Sequence, residues 1–591
     1  MTFVLKFLWA TSPRWHVVNL FFLIIQSVLP LVNIYQIKLI FDTVTKYTKS
    51  GEYTEAVSLL TWQVSFTVGL LIVNSLINSI AGLVKTKHNQ IISEAILEEL
   101  HKKSSTIDYQ YFENPEYHDT FYRIQSDGHG RIFSTFNQLQ SIFQSFISLA
   151  ALFSMLAVLH WSTSIIIVSS VLPALLSQYK FSKLRHQWYQ KRTSLHREGA
   201  YYNWMLTANQ PAKEIRTYGL GELFIHRAKK IRELLFDENY LLTLKSTYWN
   251  FGAKLVELLA IYSIFLFLII RSLNGSFSVG DLVMYYQIFS RGQSNVNGLL
   301  SGFVNLSTDN LFFKYLIEYL SYNSSGKRLP DSEPFPDHIT DIELRNVYFK
   351  YPNQDNYILK DISLYIKRGQ KVAIVGKNGS GKTSMIKLFN KLYEPTTGTI
   401  CINGIDYTNF DTHTLQNKVN ILFQDYMNYY IKAGENISFG DIDNINNHIR
   451  LTKVAQCTGA SEFIEGFPHQ YDATLGKLFD SGQELSAGQW QKVALARALM
   501  RDAPIVILDE PSSSMDTIAE NNLVDRISNL IKDKIVILIS HRLSTVKLAD
   551  CIYFIENGSI VEKGTHETLM GLQGSYYEMF NLQSNGANVL Y

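Results

Sequence analysis

Between residues 17 and 306 the chain returns repeatedly to low-charge apolar runs of bilayer length, and after residue 320 such runs stop. The runs lie at 17–41, 57–84, 139–159, 162–179, 250–270 and 282–306. Around 20 apolar residues let one helix cross the hydrocarbon core, so the pattern predicts six membrane spans in the first half. The sixth is the weakest, because Gln287, Arg291, Gln293, Asn295 and Asn297 interrupt it, and a cytosolic amphipathic helix is its alternative. With 46% hydrophobic and 18% charged residues, the chain is too apolar for a typical soluble enzyme. Its 54 basic and 52 acidic residues give a net charge of +2, without the basic excess of a dedicated nucleic-acid binder. Cys401, Cys457 and Cys551 are too few and too scattered for a disulfide framework or a metal clip and read as reduced thiols. The first 15 residues lack a small-residue cleavage site, so membrane insertion is expected from retained spans.

Lysine and arginine set the orientation. Lys6 and Arg14 precede the first span, Lys85, Lys87, Lys102 and Lys103 follow the second, and Lys180, Lys183, Arg185, Lys191, Arg192 and Arg197 follow the fourth. These segments are expected in the cytosol, which leaves loops 46–55, 160–162 and 271–280 on the opposite face. The two cytosolic segments are far longer than helix connections require and read as helical, as spans continuing into stalks would. Residues 1–320 thus form a transmembrane domain. Residues 321–338, with Ser324, Ser325, Gly326, Pro330, Pro334 and Pro336, read as a linker. Over 339–591 short β-rich runs alternate with helical ones, the pattern of an α/β domain on a largely parallel sheet, with a short C-terminal tail.

This second domain carries the chemistry. An expected strand, 371–375, leads directly into Gly376-Lys377-Asn378-Gly379-Ser380-Gly381-Lys382-Thr383 and then a helical run from Ser384. That is G-x-x-x-x-G-K-[ST] in its required strand–loop–helix setting, a phosphate-binding loop. Its glycines let backbone N–H groups curl around phosphates, Lys382 reaches the β/γ oxygens, and the Thr383 hydroxyl suits Mg²⁺. A second strand, 505–508, ends in Asp509 and Glu510, and a third, 535–539, ends in Ser540 and His541. Strand ends of this kind are where doubly wound sheets bind ligands. Asp509 suits a metal shell and Glu510 the activation of an attacking water. Between these strands Leu485-Ser486-Ala487-Gly488-Gln489 opens another helix, a second anion site in a domain that already has one. Such duplication makes sense when the second device serves the nucleotide of another copy.

On these motifs and their order the chain resembles an ATP-binding cassette exporter of the half-transporter kind. The resemblance covers nearly the whole chain and implies a type IV exporter fold: an all-α six-helix transmembrane domain followed by an α/β P-loop ATPase. It implies ATP with Mg²⁺, the metal falling to Thr383, Gln424 and Asp509. It further implies Tyr351 as the aromatic stacking on adenine, and Gly376 through Ser384 as the phosphate cradle. Ser486, Ala487, Gly488 and Gln489 match the signature loop that closes over the partner's ATP, Asp516 the D-loop aspartate, and Glu510 and His541 the catalytic pair. Ala487 stands where the family usually has glycine, which is expected to reduce but not abolish ATPase activity. Regions 112–122 and 211–220 match the loop tips that dock on the ATPase domains.

Partners are then a second half-transporter, expected as a homodimer, the lipid bilayer and an exported substrate, with no nucleic acid. Tyr111-Phe112-Glu113-Asn114-Pro115-Glu116-Tyr117, Lys213-Glu214-Ile215-Arg216 and Gly482 through Gln491 look like segments of bacterial exporters of lantibiotic-type peptides. A modified peptide is therefore the expected cargo and a bacterial cytoplasmic membrane the expected location. Because the first span begins almost at once, leader cleavage is expected from another protein. A drug or lipid exporter is the alternative, and an ATP-gated channel or regulator a more distant one. Among intramembrane polar residues, Asn74 with Asn78 is expected to hydrogen-bond between helices and Lys254 with Glu257 to form an internal ion pair.

Overall fold

A computed structural model describes residues 2–50, 53–156, 161–273, 277–323, 333–352, 354–513, 526–527, 530–540, 542–547 and 549–588. The chain divides into two compact units, one of Met1–Ser105 with Phe112–Tyr322 and the other of Thr106–Tyr111 with Asn323–Tyr591. The helices before residue 322 are α1 (Thr2–Thr11), α2 (Pro13–Ser50), α3 (Tyr53–Thr106), α4 (Tyr109–Phe112), α5 (Pro115–Leu156), α6 (Trp161–Thr207), α7 (Asn209–Thr217), α8 (Gly221–Leu273) and α9 (Val279–Ser321); all but α4, which lies in the second unit up to Tyr111, build the described part of the first. At 1.5 Å per residue the 54 residues of α3 span roughly 80 Å, far more than a bilayer core of about 30 Å. The long helices therefore continue beyond any membrane as stalks.

Among the described residues α2, α3 and α8 are long and apolar enough to cross a membrane. The apolar face of α3 points outward, with Ile72 and Leu76 exposed, which in water would be untenable. Helices α5, α6 and α9 are long enough but, among the described residues, less apolar. The third and fourth runs flank residues 157–160, which lie outside the described residues. In α9 the cause is visible, because its interrupting polar groups are used internally. Glu257 of α8 is buried and accepts hydrogen bonds from Lys254 Nζ at 2.8 Å and from Asn297 Nδ2. Gln293 Nε2 donates to Ser170 Oγ of α6 at 3.3 Å and to the Glu257 carbonyl at 3.4 Å. The expected Lys254–Glu257 pair is thus present, and Asn78 accepts from Gln26 of α2 at 2.8 Å.

Helix α9 runs antiparallel to α5. Thr135 Oγ1 and Arg131 donate to the buried Asp309 at one end. At the other, Gly298 and Gly302 bring the backbones close. A Cβ on Gly298 would stand 2.9 Å from Ser145 Oγ, and one on Gly302 would stand 2.5 Å from Ile142. Such small-xxx-small spacing lets helices associate where lipid supplies no hydrophobic drive. The start of α9 is fixed to α2 by Lys38–Asp281 at 2.7 Å and by Gly280 N–H donating to Asp42.

In the second unit a six-stranded sheet has the order β10-β9-β3-β8-β7-β6, and a four-stranded antiparallel sheet has the order β2-β1-β4-β5. The strands are β1 (Asp341–Phe349), β2 (Leu359–Lys367), β3 (Lys371–Gly376), β4 (Thr397–Ile402), β5 (Ile405–Asp406), β6 (Val419–Leu422), β7 (Ile505–Asp509), β8 (Ile535–Ile539), β9 (Cys551–Glu556) and β10 (Ser559–Gly564). In the larger sheet only the β9–β10 pair is antiparallel. Strands β7 and β8 are buried throughout, as both-face coverage requires. Their alternate residues enter two cores: Ile505, Ile507, Ile535 and Ile537 pack with Met385 and Phe389, while Val506, Leu508, Val536 and Leu538 pack with Trp490 and Val493.

Gly302→Leu should overpack the α5–α9 contact and destabilise the detergent-solubilised protein by about 1–3 kcal/mol. Ile142→Ala in the same chain should recover part of the loss. An unchanged melting temperature in Gly302→Leu would show that close approach is not what holds these helices.

Candidate nucleotide site

Strand register builds the site. Ile374 of β3 lies beside Ile539 of β8, and Ile539 beside Asp509 of β7, so the turns that follow all open on one edge. After β3 the loop curls into the helix Lys382–Phe389, with Gly379 at φ +79° and Gly381 at φ +106°. These are left-handed conformations that favour glycine. Gly376 is fixed by proximity, since a Cβ there would lie 2.2 Å from the Ile555 carbonyl. Lys382 folds over its own loop, donating to the Gly376 carbonyl at 2.7 Å and the Lys377 carbonyl at 2.9 Å. Burial pulls its ammonium below the usual lysine range, with Glu510 and Asp509 acting in the opposite direction. Ser380 Oγ is buried without a hydrogen-bond partner, and Thr383 is exposed beside it. An orphaned hydroxyl and a lysine held by carbonyls fit an incoming phosphate chain.

Asp509 is 5% exposed. Burial, reinforced by the neighbouring Glu510 and by Asp425 and opposed by Lys382, pushes its carboxyl up to about 6. Glu510 sits at φ +48°, an uncommon conformation for a side-chain-bearing residue. Three segments hold it. Its N–H donates to the Ile539 carbonyl at 2.8 Å, its carbonyl accepts from Gln491 Nε2 at 2.9 Å, and its carboxylate accepts from Gln424 Nε2 at 3.0 Å. Gln424 is thereby joined to Glu510 as well as lying near Asp509. Among the described residues no three His, Cys, Asp or Glu side chains form a metal cage of their own. The donor set of a hydroxyl, an amide and one carboxylate instead suits a cation that takes its remaining ligands from phosphate and water.

The signature segment caps the helix Ala487–Leu499. Ser486 Oγ accepts from Gln489 N–H at 3.3 Å while Gln489 Oε1 accepts from Ser486 N–H at 2.9 Å, a reciprocal capping box. Ser486 and Ala487 are exposed and Gly488 is half-buried, so the positive end of this helix is preformed and open. Gln489 spends its side chain on the cap. Tyr351 follows β1, its hydroxyl 3.1 Å from Ser384 Oγ. Lys377 is exposed and pairs with Glu556 at 3.1 Å, and Asn378 is exposed next to it. Asp516 and His541 lie outside the described residues.

Two contributors escaped sequence reasoning. Asp425 adds its charge near Asp509. Gln491, only 1% exposed, ties the signature helix to the Glu510 carbonyl and, at 3.1 Å, to Ser513 Oγ. A glutamine amid the apolar run Trp490–Leu499 is the signal that could have exposed it. Residues 112–122 group with the first unit and Thr106–Tyr111 with the second.

Because the Asp509 carboxyl is raised in the native state, it favours the fold at low pH, and that contribution is lost as pH rises from about 4 through about 6. A divalent cation held there would compensate the buried charge. Added Mg²⁺ should therefore raise the melting temperature more at pH 7.5 than at pH 5.5 and release protons near pH 6. Asp509→Asn should remove both effects; equal stabilisation of the wild-type chain at the two pH values would contradict the role of Asp509.

The family profile described as ABC transporter matches residues 359–513, and that described as ABC transporter transmembrane region matches residues 17–293. The chain is 32% identical over 565 residues to the subtilin transport ATP-binding protein SpaT of Bacillus subtilis, covering 94% of this chain and 90% of that one. It is 28% identical over 519 residues to the nisin transport ATP-binding protein NisT of Lactococcus lactis subsp. lactis, covering 86% and 85%. An ATP-dependent lipid A-core flippase of Coxiella burnetii is 38% identical over 242 residues, 41% of this chain and 40% of that one. The structure of a bacterial Atm1-family ABC exporter with ATP bound superposes with a TM-score of 0.84 at 19% identity, covering 97% of this chain and 99% of that one. A helical membrane domain fused to a nucleotide-binding domain with its phosphate loop and carboxylates in place identifies the chain as a member of the ATP-binding cassette transporter family, an exporter-type half-transporter whose ATPase is coupled to transmembrane transport.

Proposed function

We propose that two copies of the chain assemble in a bacterial cytoplasmic membrane and use MgATP to export a modified peptide. The observation that carries the two-copy arrangement is the open, capped helix end at Ser486 in a unit that already holds a full phosphate loop. In the proposed dimer, ATP lies between Lys382 of one copy and Ser486 of the other. Tyr351 stacks on the base, and backbone groups from Gly376 to Ser384 cradle the phosphates. Lys382 exchanges its two loop carbonyls for β/γ oxygens. Thr383, Gln424 and Asp509 would hold Mg²⁺, which supplies charge neutralisation at the phosphates. Glu510 accepts a proton from water as the water oxygen bonds to the γ-phosphorus and the bond to the ADP oxygen breaks. Asp516 and His541 complete the site on sequence grounds. Loss of the bridging charge lets the two copies part and alternates the cavity between membrane faces. Ala487 places a methyl on the exposed helix end, where backbone and phosphate would meet.

Peptide cargo is favoured by where similarity extends. The subtilin and nisin transport proteins match over 94% and 86% of this chain, so both its membrane and ATPase parts are shared with them. A match over 41%, as for the flippase, cannot include both parts in full. Cargo meets the membrane part.

Glu510→Gln should lower ATP turnover by at least about 100-fold while leaving ATP-dependent association of two chains intact by crosslinking; full turnover would remove Glu510 from its role. In proteoliposomes with ATPase domains outward, a leader-bearing, lanthionine-modified peptide should accumulate inside only while ATP is hydrolysed, and not with Glu510→Gln. Movement of labelled lipid instead of peptide would replace the peptide assignment, and ATP-dependent equilibration without accumulation would indicate a channel.

A further inference from the structure

The helix that follows the phosphate loop carries Lys387, half-buried, and three tyrosine rings surround its ammonium. Nζ lies 5.0 Å from the ring centre of Tyr351, 5.4 Å from that of Tyr109 and 5.6 Å from that of Tyr393. The rings also brace one another: Tyr351 and Tyr393 meet at 5.2 Å and 87°, and Tyr109 and Tyr393 at 6.0 Å and 85°. Each distance lies within the roughly 6 Å reach of a cation–π contact, and such contacts occur only about once per 70–80 residues. Three on one ammonium, one of them to the ring assigned to the base, are unlike an ordinary surface lysine with its head in water.

On the reading of Tyr351 as the base-stacking aromatic, we propose that Lys387 is a positioning residue for the nucleotide base, acting through the tyrosine cage. A ring has two faces. An ammonium held over one face by the ring quadrupole fixes the tilt of the ring and leaves the other face for a flat purine. Tyr351 has a second anchor, its hydroxyl beside Ser384 Oγ at 3.1 Å, and its ring meets that of Phe349 in a T-shaped pair at 5.0 Å and 75°. The hydroxyl contact holds the tip of the ring and the lysine its plane. Base and phosphate recognition are thereby set by one short helix, since Lys382 and Lys387 lie five residues apart on it. The third wall, Tyr109, comes from the segment Thr106–Tyr111, which groups with the ATPase unit although its sequence lies between α3 and α5. The base site is therefore finished by a residue from outside the ATPase domain's own stretch of sequence.

The test uses the full-length chain in nanodiscs and compares binding of ATP, GTP and inorganic tripolyphosphate, which has no base. Lys387→Met keeps the apolar stem and removes the charge. It should weaken ATP about fivefold, raise KM for ATP with little change in kcat, narrow the ATP-to-GTP ratio and leave tripolyphosphate unchanged. Lys387→Arg should restore ATP binding, and Tyr109→Leu should reproduce part of the Lys387→Met defect while Tyr109→Phe does not. Tyr351→Ala separates the two ideas. If it weakens ATP but Lys387→Met leaves both ATP affinity and base preference unchanged, the cage proposal is overturned and stacking on Tyr351 stands. If Tyr351→Ala leaves ATP affinity unchanged, the stacking assignment fails and the proposal with it. Equal weakening of ATP and tripolyphosphate in Lys387→Met would place its effect on the phosphate loop and also overturn the cage.

Discussion

Strands β3, β8 and β7 lie side by side in a parallel register that sets Ile374 against Ile539 and Ile539 against Asp509. A slip of one residue would turn every side chain of a strand to the opposite face. Here it would also exchange the two cores, because Ile507 and Ile537 pack on one side and Val506 and Val536 on the other. The hydrophobic pattern therefore fixes the register, and the register fixes the chemistry. It brings the phosphate loop, the carboxylates at 509 and 510 and the end of β8 at Ile539 to one edge, although the loop lies more than a hundred residues before the other two in sequence. None of these groups could be placed there by local preference alone, since Glu510 occupies a left-handed conformation that its neighbours must impose.

A comparable economy operates in the membrane unit. Polar side chains in a span are costly unless they meet one another, and the residues that dilute α9 do so. Asn297 and Gln293 turn to Glu257 and Ser170, while Asp309 takes Thr135 and Arg131. The helix gives up outward hydropathy for specific contacts with α5, α6 and α8, and its small residues admit α5 closely. Its weakness as a lipid-facing helix and its central place in the bundle have the same cause.

This explains which features were legible in the sequence. Gly376 through Thr383, Asp509 and Glu510, and Ser486 through Gln489 could be read because their chemistry depends on local spacing beside a strand or a helix start. The Lys254–Glu257 pair was legible for the same reason, being three residues apart on one helix. Contacts between distant segments were not. Gln491 looks like any polar interruption of a helix until β7 is brought beneath it. Gly298 and Gly302 were passed over because their value lies in the shape of Ile142 and Ser145 opposite. Lys387 has no motif, and its three rings come from positions 109, 351 and 393. Pro115 begins α5 as a first-turn proline can, and the break in the helical pattern falls on either side of the four-residue helix Tyr109–Phe112.

Glu510 draws these points together. Its backbone is gripped by β8 through Ile539 and by the signature helix through Gln491, and its carboxylate by Gln424 from the loop after β6. Gln491 lies five residues beyond Ser486, on the helix whose open end is assigned to the nucleotide of the other copy. Gln491 Nε2 donates to the Glu510 carbonyl at 2.9 Å, so the helix that opens at Ser486 and the backbone that carries the Glu510 carboxylate are tied to each other within one unit.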